Sequence, residues 1–162
     1  MRCYHLNNMY MSSIQQGIQS AHAQMELFVK YPETCRQKIQ LFNWAQHHKT
    51  MIVLNGGYLS TMKEALEFID SEANPYPFAT FHESEEAMGG MLTNIAIVLP
   101  EKIYETSALI RRGKIAPETF KLAPFQDTED EIKITEQLAS YGEFSDFEKE
   151  LCYWLTNFGL AS

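Results

Sequence analysis

The sequence predicts an α/β domain, a mixed sheet of about four strands flanked by helices, followed by an acidic helical C-terminal extension. Three observations carry this reading. Short β-rich runs at residues 2–7, 50–54, 78–82 and 94–99 alternate with stretches whose apolar residues recur at helical spacing. Strong turn signals punctuate them: Pro32, Asn55-Gly56-Gly57, Asn74-Pro75-Tyr76-Pro77 and Pro100. The charge is also uneven. Residues 126–150 hold nine acids and two lysines, a balance of −7, whereas residues 1–125 hold twelve acids against eleven bases, a balance of −1, so most of the net charge of −8 belongs to the C-terminal part.

Residues 2–7 read as the first strand, with Cys3, Tyr4, His5 and Leu6 in it. A helix follows from Ser12 to Tyr31 and stops before Pro32, which disfavours a helical residue ahead of it. Within it Ile14, Ile18, Ala21, Met25 and Phe28 recur at steps of four and three, the stripe expected to pack on the sheet. Gln15, Gln19, His22 and Glu26 form a second line, expected to face the sheet edge. A second helix is expected over 33–46, with Cys35, Ile39, Leu41 and Phe42 inward and His47-His48 in the loop beyond.

Thr50–Leu54 reads as the next strand, and Ser60 or Thr61 as the cap of a third helix with Met62, Ala65, Leu66 and Ile69 inward. Phe78–His82 is a third strand, Glu83 to Gly90 a polar loop, and Asn94–Leu99 a buried central strand that Pro100 ends. Beyond it come a helix over 103–113, an irregular connection over 114–125, and helices over 128–141 and 145–158. Ser145-Asp146-Phe147-Glu148 has the capping-box form. Phe144, Phe147, Leu151, Trp154, Leu155 and Phe158 give the last helix a broad apolar face, expected to bury against the main domain or a partner chain. The domain reading is 1–125 for the α/β body and 126–162 for the extension.

Composition narrows the function classes. The chain is 45% apolar, enough for a core, and no run of about eighteen apolar residues marks a membrane span. Its start lacks a signal peptide's basic and apolar regions, so a cytoplasmic protein is expected. Three widely spaced cysteines read as reduced thiols without metal-ligand spacing. The only tight basic cluster is Arg111, Arg112 and Lys114, which argues against broad nucleic-acid binding. No GxxxxGK[ST], GxSxG or HExxH pattern occurs.

Met11-Ser12-Ser13-Ile14-Gln15 and Gln19-Ser20-Ala21-His22-Ala23 follow the first strand. With the later order (51–54, the 59–69 helix, 78–82 and 94–100), they resemble the peptidyl-tRNA hydrolase type II family over residues 1–110. That family carries Met-Gly-Lys-Gly-Lys and Gln-Cys-x-His-Ala at these places. The resemblance implies its fold, an ester hydrolysis on peptidyl-tRNA, tRNA as partner, and a homodimer. The family's loop lysines fall on Ser13 and Gln15. Its acid at the end of the third strand falls on His82 or, with a slip of one residue, on Glu83, and its threonine falls near Glu86. The site positions have changed chemical type, while the element order is kept.

Four candidate sites follow. Ser12 and Ser13 are either an ordinary N-cap or, with the helix dipole, an anion site. His22 is either a structural histidine or a donor or base toward a ligand. His82 with Glu83, Glu85 and Glu86 is either a solvated acidic loop, an acid–base pair or a loose cation site. Asn55-Gly56-Gly57-Tyr58 and Gly89-Gly90 either make turns or admit a ligand close to the backbone.

The favoured reading is a binding protein for a small nucleotide-like or phosphate-bearing ligand, which it sequesters. Ser12, Ser13, Gln15, Gln19, His22, His82, Glu86, Gly89, Gly90 and Asn94 would line the cleft, with no cofactor or metal implied. The alternative is an esterase using His22 with His82 or Glu83. A third reading is an interaction module whose acidic helices dock on a basic partner.

Overall fold

The structure, a computed structural model, describes residues 1–124 and 128–161. Strands β1 (Arg2–Asn7), β2 (Met51–Asn55), β3 (Phe78–His82) and β4 (Leu92–Leu99) form one mixed sheet in the order β2-β1-β4-β3. β1 and β2 are parallel, with Cys3 opposite Met51 and Asn7 opposite Asn55, and the other two pairings are antiparallel. A parallel pair requires a long crossover. Here it is α1 (Ser13–Lys30), α2 (Arg36–Asn43) and a π-helical turn, Trp44–His48. α3 (Leu59–Ile69) links β2 to β3, and the short α4 (Glu85–Met88) links β3 to β4. β4 is buried along its whole length, as its unbroken apolar run implies.

Alternation along the strands divides the core into two faces. On one, Cys3, Ala79, Ala96 and Val98 meet Ala23 and Leu27 of α1, Leu41 of α2 and Trp44. On the other lies α3, with Met62, Ala65 and Ile69 buried. Leu6 and Met62 converge on Gly56, whose added Cβ would stand 3.2 Å from each.

α1 has the expected extent but is turned about its axis. Ile14, Ile18, Ala21 and Met25 face solvent and Phe28 is half-buried, while Gln19, Ser20, Ala23 and Leu27 point inward. Of the second line only Gln19 is buried; Gln15, His22 and Glu26 are exposed. The reason lies in the strands. Asn7, Thr93 and Asn94 hydrogen-bond to Gln19 and Ser20, and apolar side chains there would leave these buried groups unpaired.

α2 also departs from expectation. Ile39 and Phe42 are exposed and Cys35 is the N-cap, while Lys38, Leu41 and Trp44 are inward. Lys38 is drawn in by α1, whose last carbonyls lack helical partners. Its Nζ donates to Phe28 O at 2.6 Å and to Tyr31 O at 3.2 Å. His47 and His48 lie in the π-helical turn rather than in a loop. α3 is capped by Tyr58, not by Ser60 or Thr61.

The chain divides into two compact units, Met1–Leu99 with Phe158–Ser162, and Pro100–Asn157. The second contains α5 (Glu101–Arg111), a two-strand hairpin of β5 (Ile115–Ala116) and β6 (Lys121–Leu122), α6 (Thr128–Ser140) and α7 (Asp146–Trp154). α7 packs on α5, with Phe147, Leu151 and Leu155 buried. Its Ser145 and Glu148 make the capping box that the sequence spells, and Glu148 also pairs with Lys102 at 2.6 Å. A boundary read between residues 125 and 126 lies outside the described residues. In the first unit, Asn55 N–H donates to Gly159 O and Ala161 N–H to Val53 O, so the chain end covers the free edge of β2. Among the described residues, no helix is long and apolar enough to cross a membrane.

Candidate functional site

The strand directions bring four chain segments to one edge of the sheet. β1, β2 and β3 end there and β4 begins there. α1, α3 and α4 start from the same edge. In sheets with parallel strands this is where ligands collect, because the loops and helix N-termini converge.

Beneath that edge, between α1 and the sheet, the core turns polar. Asn7 stands directly opposite Asn94 in the β1–β4 pairing. Asn94 Nδ2 donates to Asn7 Oδ1 at 2.9 Å and to Ser20 Oγ at 3.3 Å, while Asn7 Nδ2 donates to the same hydroxyl at 3.0 Å. Asn94 Oδ1 then has only lone pairs to offer His5 Nδ1, 3.2 Å away, so that nitrogen carries the proton. His5 Nε2 is left to accept from the Cys3 thiol at 3.3 Å.

A Cys–His–Asn series suggests a thiol nucleophile, but the environment opposes it. Cys3, His5 and Asn94 are wholly buried. Burial drives the Cys3 thiol well above its ordinary range and holds His5 down at about 4, its bond to Asn94 opposing only in part. Both groups are therefore neutral, and a thiolate is the form that attacks. The series is a structural network.

Nearer the edge, a bulge re-aims a side chain. Phe81 pairs with Asn94 but His82 pairs with Leu92, so Thr93 is an extra residue in β4. Its hydroxyl lies 3.1 Å from Gln19 Oε1 and 3.2 Å from Phe81 O, both acceptors. Gln19 Nε2 in turn donates to Glu83 Oε1 at 2.6 Å. The half-buried Glu83 carboxylate thus ends a polar line that starts in the core.

The loops after β1 and β2 are tied together. Gly56 N–H donates to Asn7 O at 2.7 Å and Met9 N–H to Gly57 O at 3.0 Å. Asn8 Oδ1 and Asn55 Oδ1 fix the same loops from within by accepting from Tyr10 N–H and Gly57 N–H. On this braced pair of loops stand Tyr10 and Tyr58, 72% and 53% exposed, with ring centroids 5.6 Å apart.

No protein-family model matches the chain, and no curated protein is significantly similar to it.

The residues singled out in the sequence separate into four groups. Gln19, Glu83 and Asn94 belong to the polar line and the network below it. His22 is exposed, with its ring 4.5 Å from that of Phe81. Ser12, Ser13 and Gln15 make a helix start in which Ser12 and Gln15 cap each other. His82 and Glu86 are exposed, and Gly89 and Gly90 take left-handed conformations where α4 turns back to β4. Among the described residues, no three His, Cys, Asp or Glu side chains are grouped to hold a metal ion.

Tyr58 stood in the candidate turn Asn55-Gly56-Gly57-Tyr58, whereas His5, Asn7, Ser20, Thr93 and Tyr10 were not singled out. The available signal was polar residues at core positions: Asn7 at the end of β1, and Thr93-Asn94 opening an otherwise apolar strand.

Proposed function

We propose that this chain binds and holds a small nucleotide-like ligand at the sheet edge where β1, β2 and β3 end. The observation that carries this is the Tyr10–Tyr58 pair, two exposed rings held on mutually hydrogen-bonded loops. Exposed aromatic rings on a braced support suit the stacking of a planar base. Glu83 adds an acceptor for the hydroxyl or amino groups of such a ligand. The first turn of α1 carries no acidic residue, so its N–H groups favour a phosphate. The absence of a basic cluster in this unit suits a small anion rather than a polynucleotide.

Isothermal titration with adenosine, adenosine monophosphate and ribose 5-phosphate tests the reading. The monophosphate should bind best and the ribose phosphate worst. Tyr10→Ala/Tyr58→Ala should weaken the nucleotide by about tenfold or more. No binding of any of the three, together with a clean apo mass in native mass spectrometry, would overturn it.

A second reading, an esterase of the peptidyl-tRNA hydrolase kind, draws on one observation. Glu83 occupies the end of β3 and is oriented by Gln19, as a general base would need to be. Release of tRNA from peptidyl-tRNA that disappears in Glu83→Gln would put this reading in place of simple binding.

A further inference from the structure

We propose that the outer edge of β3 takes up a basic, extended peptide segment of a partner protein as an added antiparallel strand. The inference rests on the backbone bonds of β3 and is independent of the nucleotide reading. Natural sheets protect their edges, because an open edge offers unpaired N–H and C=O groups to any extended chain. Here the chain end covers β2, while β3, the other edge strand, is covered only in part. Two bonds fix its phase: Val98 N–H donates to Pro77 O and Glu83 N–H to Met91 O, each at 3.0 Å. With Ala79 opposite Ala96 and Phe81 opposite Asn94, residues 77, 79, 81 and 83 turn their backbone groups to β4. Phe78, Thr80 and His82 therefore turn theirs outward. At Phe78 the Tyr31 hydroxyl stands in for a strand, accepting from its N–H and donating to its C=O, each at 3.0 Å. Among the described residues, none bonds the outward N–H and C=O of Thr80 and His82. Two such donor–acceptor pairs, two residues apart, match the repeat of an extended backbone.

The surroundings specify the occupant. α1 runs antiparallel alongside β3: Gln19 bonds Glu83, the His22 ring lies 4.5 Å from that of Phe81, and Lys30 Nζ stands 3.5 Å from the Phe78 centroid. Glu26 falls midway between His22 and Lys30 on this flank, four residues from each. Glu26, Glu83, Glu85 and Glu86 thus border the open stretch, and among the described residues none of them is ion-paired. A segment with Arg or Lys opposite Glu83 and beside Glu26 supplies the missing cations. Ala79, Phe81 and Glu83 point to the α1 side, so added residues opposite them also face α1, while those opposite Thr80 and His82 make the backbone bonds. The one opposite Phe81 meets His22 with its helix neighbours Ile18 and Met25, both exposed, and an apolar side chain suits it. Lys30 and Tyr31 close the edge at Phe78, which limits the added strand to positions opposite residues 79–83.

Amide NMR spectra of the isotope-labelled full chain, titrated with acetyl-Arg-Thr-Val-Thr-Arg-amide, test the pairing. The Thr80 and His82 amide protons should shift downfield and saturate below about 1 mM peptide, while those of Ala79 and Phe81, already turned to β4, move less. Methylating both threonine nitrogens of the peptide removes the donors and keeps every side chain, and should weaken binding about tenfold or more. Glutamate in place of both arginines should weaken it about fivefold or more at low salt. Thr80→Pro deletes one outward N–H without touching the β4 ladder and should also weaken the arginine peptide about tenfold. Should that variant fail to fold, the methylated peptide decides alone. Absent shifts at Thr80 and His82, equal binding of the methylated or the glutamate peptide, or native affinity in folded Thr80→Pro would each overturn the proposal.

Discussion

Gln19 spans two elements through one amide: its Nε2 donates to Glu83 Oε1 at 2.6 Å, and its Oε1 lies 3.1 Å from the Thr93 hydroxyl. This places a helix residue between the end of β3 and the bulge of β4, in the line that reaches from the polar core toward the sheet edge. Gln19→Leu takes the amide donor from the Glu83 carboxylate, while the Thr93 hydroxyl keeps Phe81 O, and should cost about 1–3 kcal/mol in urea unfolding. Glu83→Gln keeps an acceptor for Gln19 and should cost less. An equal loss in both variants would show that the pair does not position Glu83.

His5 makes stability pH-dependent. Its folded-state pKa is lowered from 6.5 to about 4 by burial, against the bond to Asn94 that raises it. The unfolded chain therefore takes up this proton first as pH falls. The stabilisation is fully present above pH 6.5 and is lost as pH falls toward 4, by up to about 3 kcal/mol. Urea unfolding across that interval should show the decline, and His5→Asn should flatten it. Parallel curves for the two proteins would contradict the assignment.

Gly56 holds two loops together. An added Cβ would stand 2.9 Å from the backbone oxygen of Asn7, which cannot move without disturbing β1. Gly56→Ala should lower stability by about 1–3 kcal/mol through overpacking. It should also separate Tyr10 from Tyr58, so aromatic nuclear Overhauser contacts between the two rings should weaken. A variant with native stability and unchanged ring contacts would refute this.

Lys38 closes the C-terminal end of α1. Its side chain is nearly buried and donates to the Phe28 and Tyr31 carbonyls, whereas Glu33, its ionic partner, is exposed and adds little. Lys38→Met should cost about 1–3 kcal/mol and Glu33→Gln much less than that. Amide exchange should rise in the last turn of α1 in Lys38→Met alone. Equal losses in the two variants would make the ion pair the important contact.

Much of the architecture was legible along the chain. Strand-length runs placed β1 to β4, with Asn-Gly-Gly ending β2 and Pro100 ending β4, and the unbroken apolar character of Asn94–Leu99 marked a central strand. Ser145 and Glu148 announced the cap of α7 because both partners of a capping box lie within one turn. The site was less legible. Gln19, Glu83 and Asn94 were among its candidates, but the side chains they bond across the sheet lie 64 to 89 residues away, and helical periodicity carries no information at that range.

What the sequence determined by itself is therefore local: where strands and helices form, where they stop and, at Ser12 and Ser145, how they are capped, since those choices involve neighbours within a few residues. What only the tertiary structure decided is which face of α1 turns inward. Periodicity alone favoured Ile14, Ile18, Ala21 and Met25, yet Gln19 and Ser20 are buried because Asn7, Thr93 and Asn94 wait beneath them. A buried amide without a partner costs more than an exposed isoleucine. That balance is struck between distant segments, and it turns the apolar stripe outward.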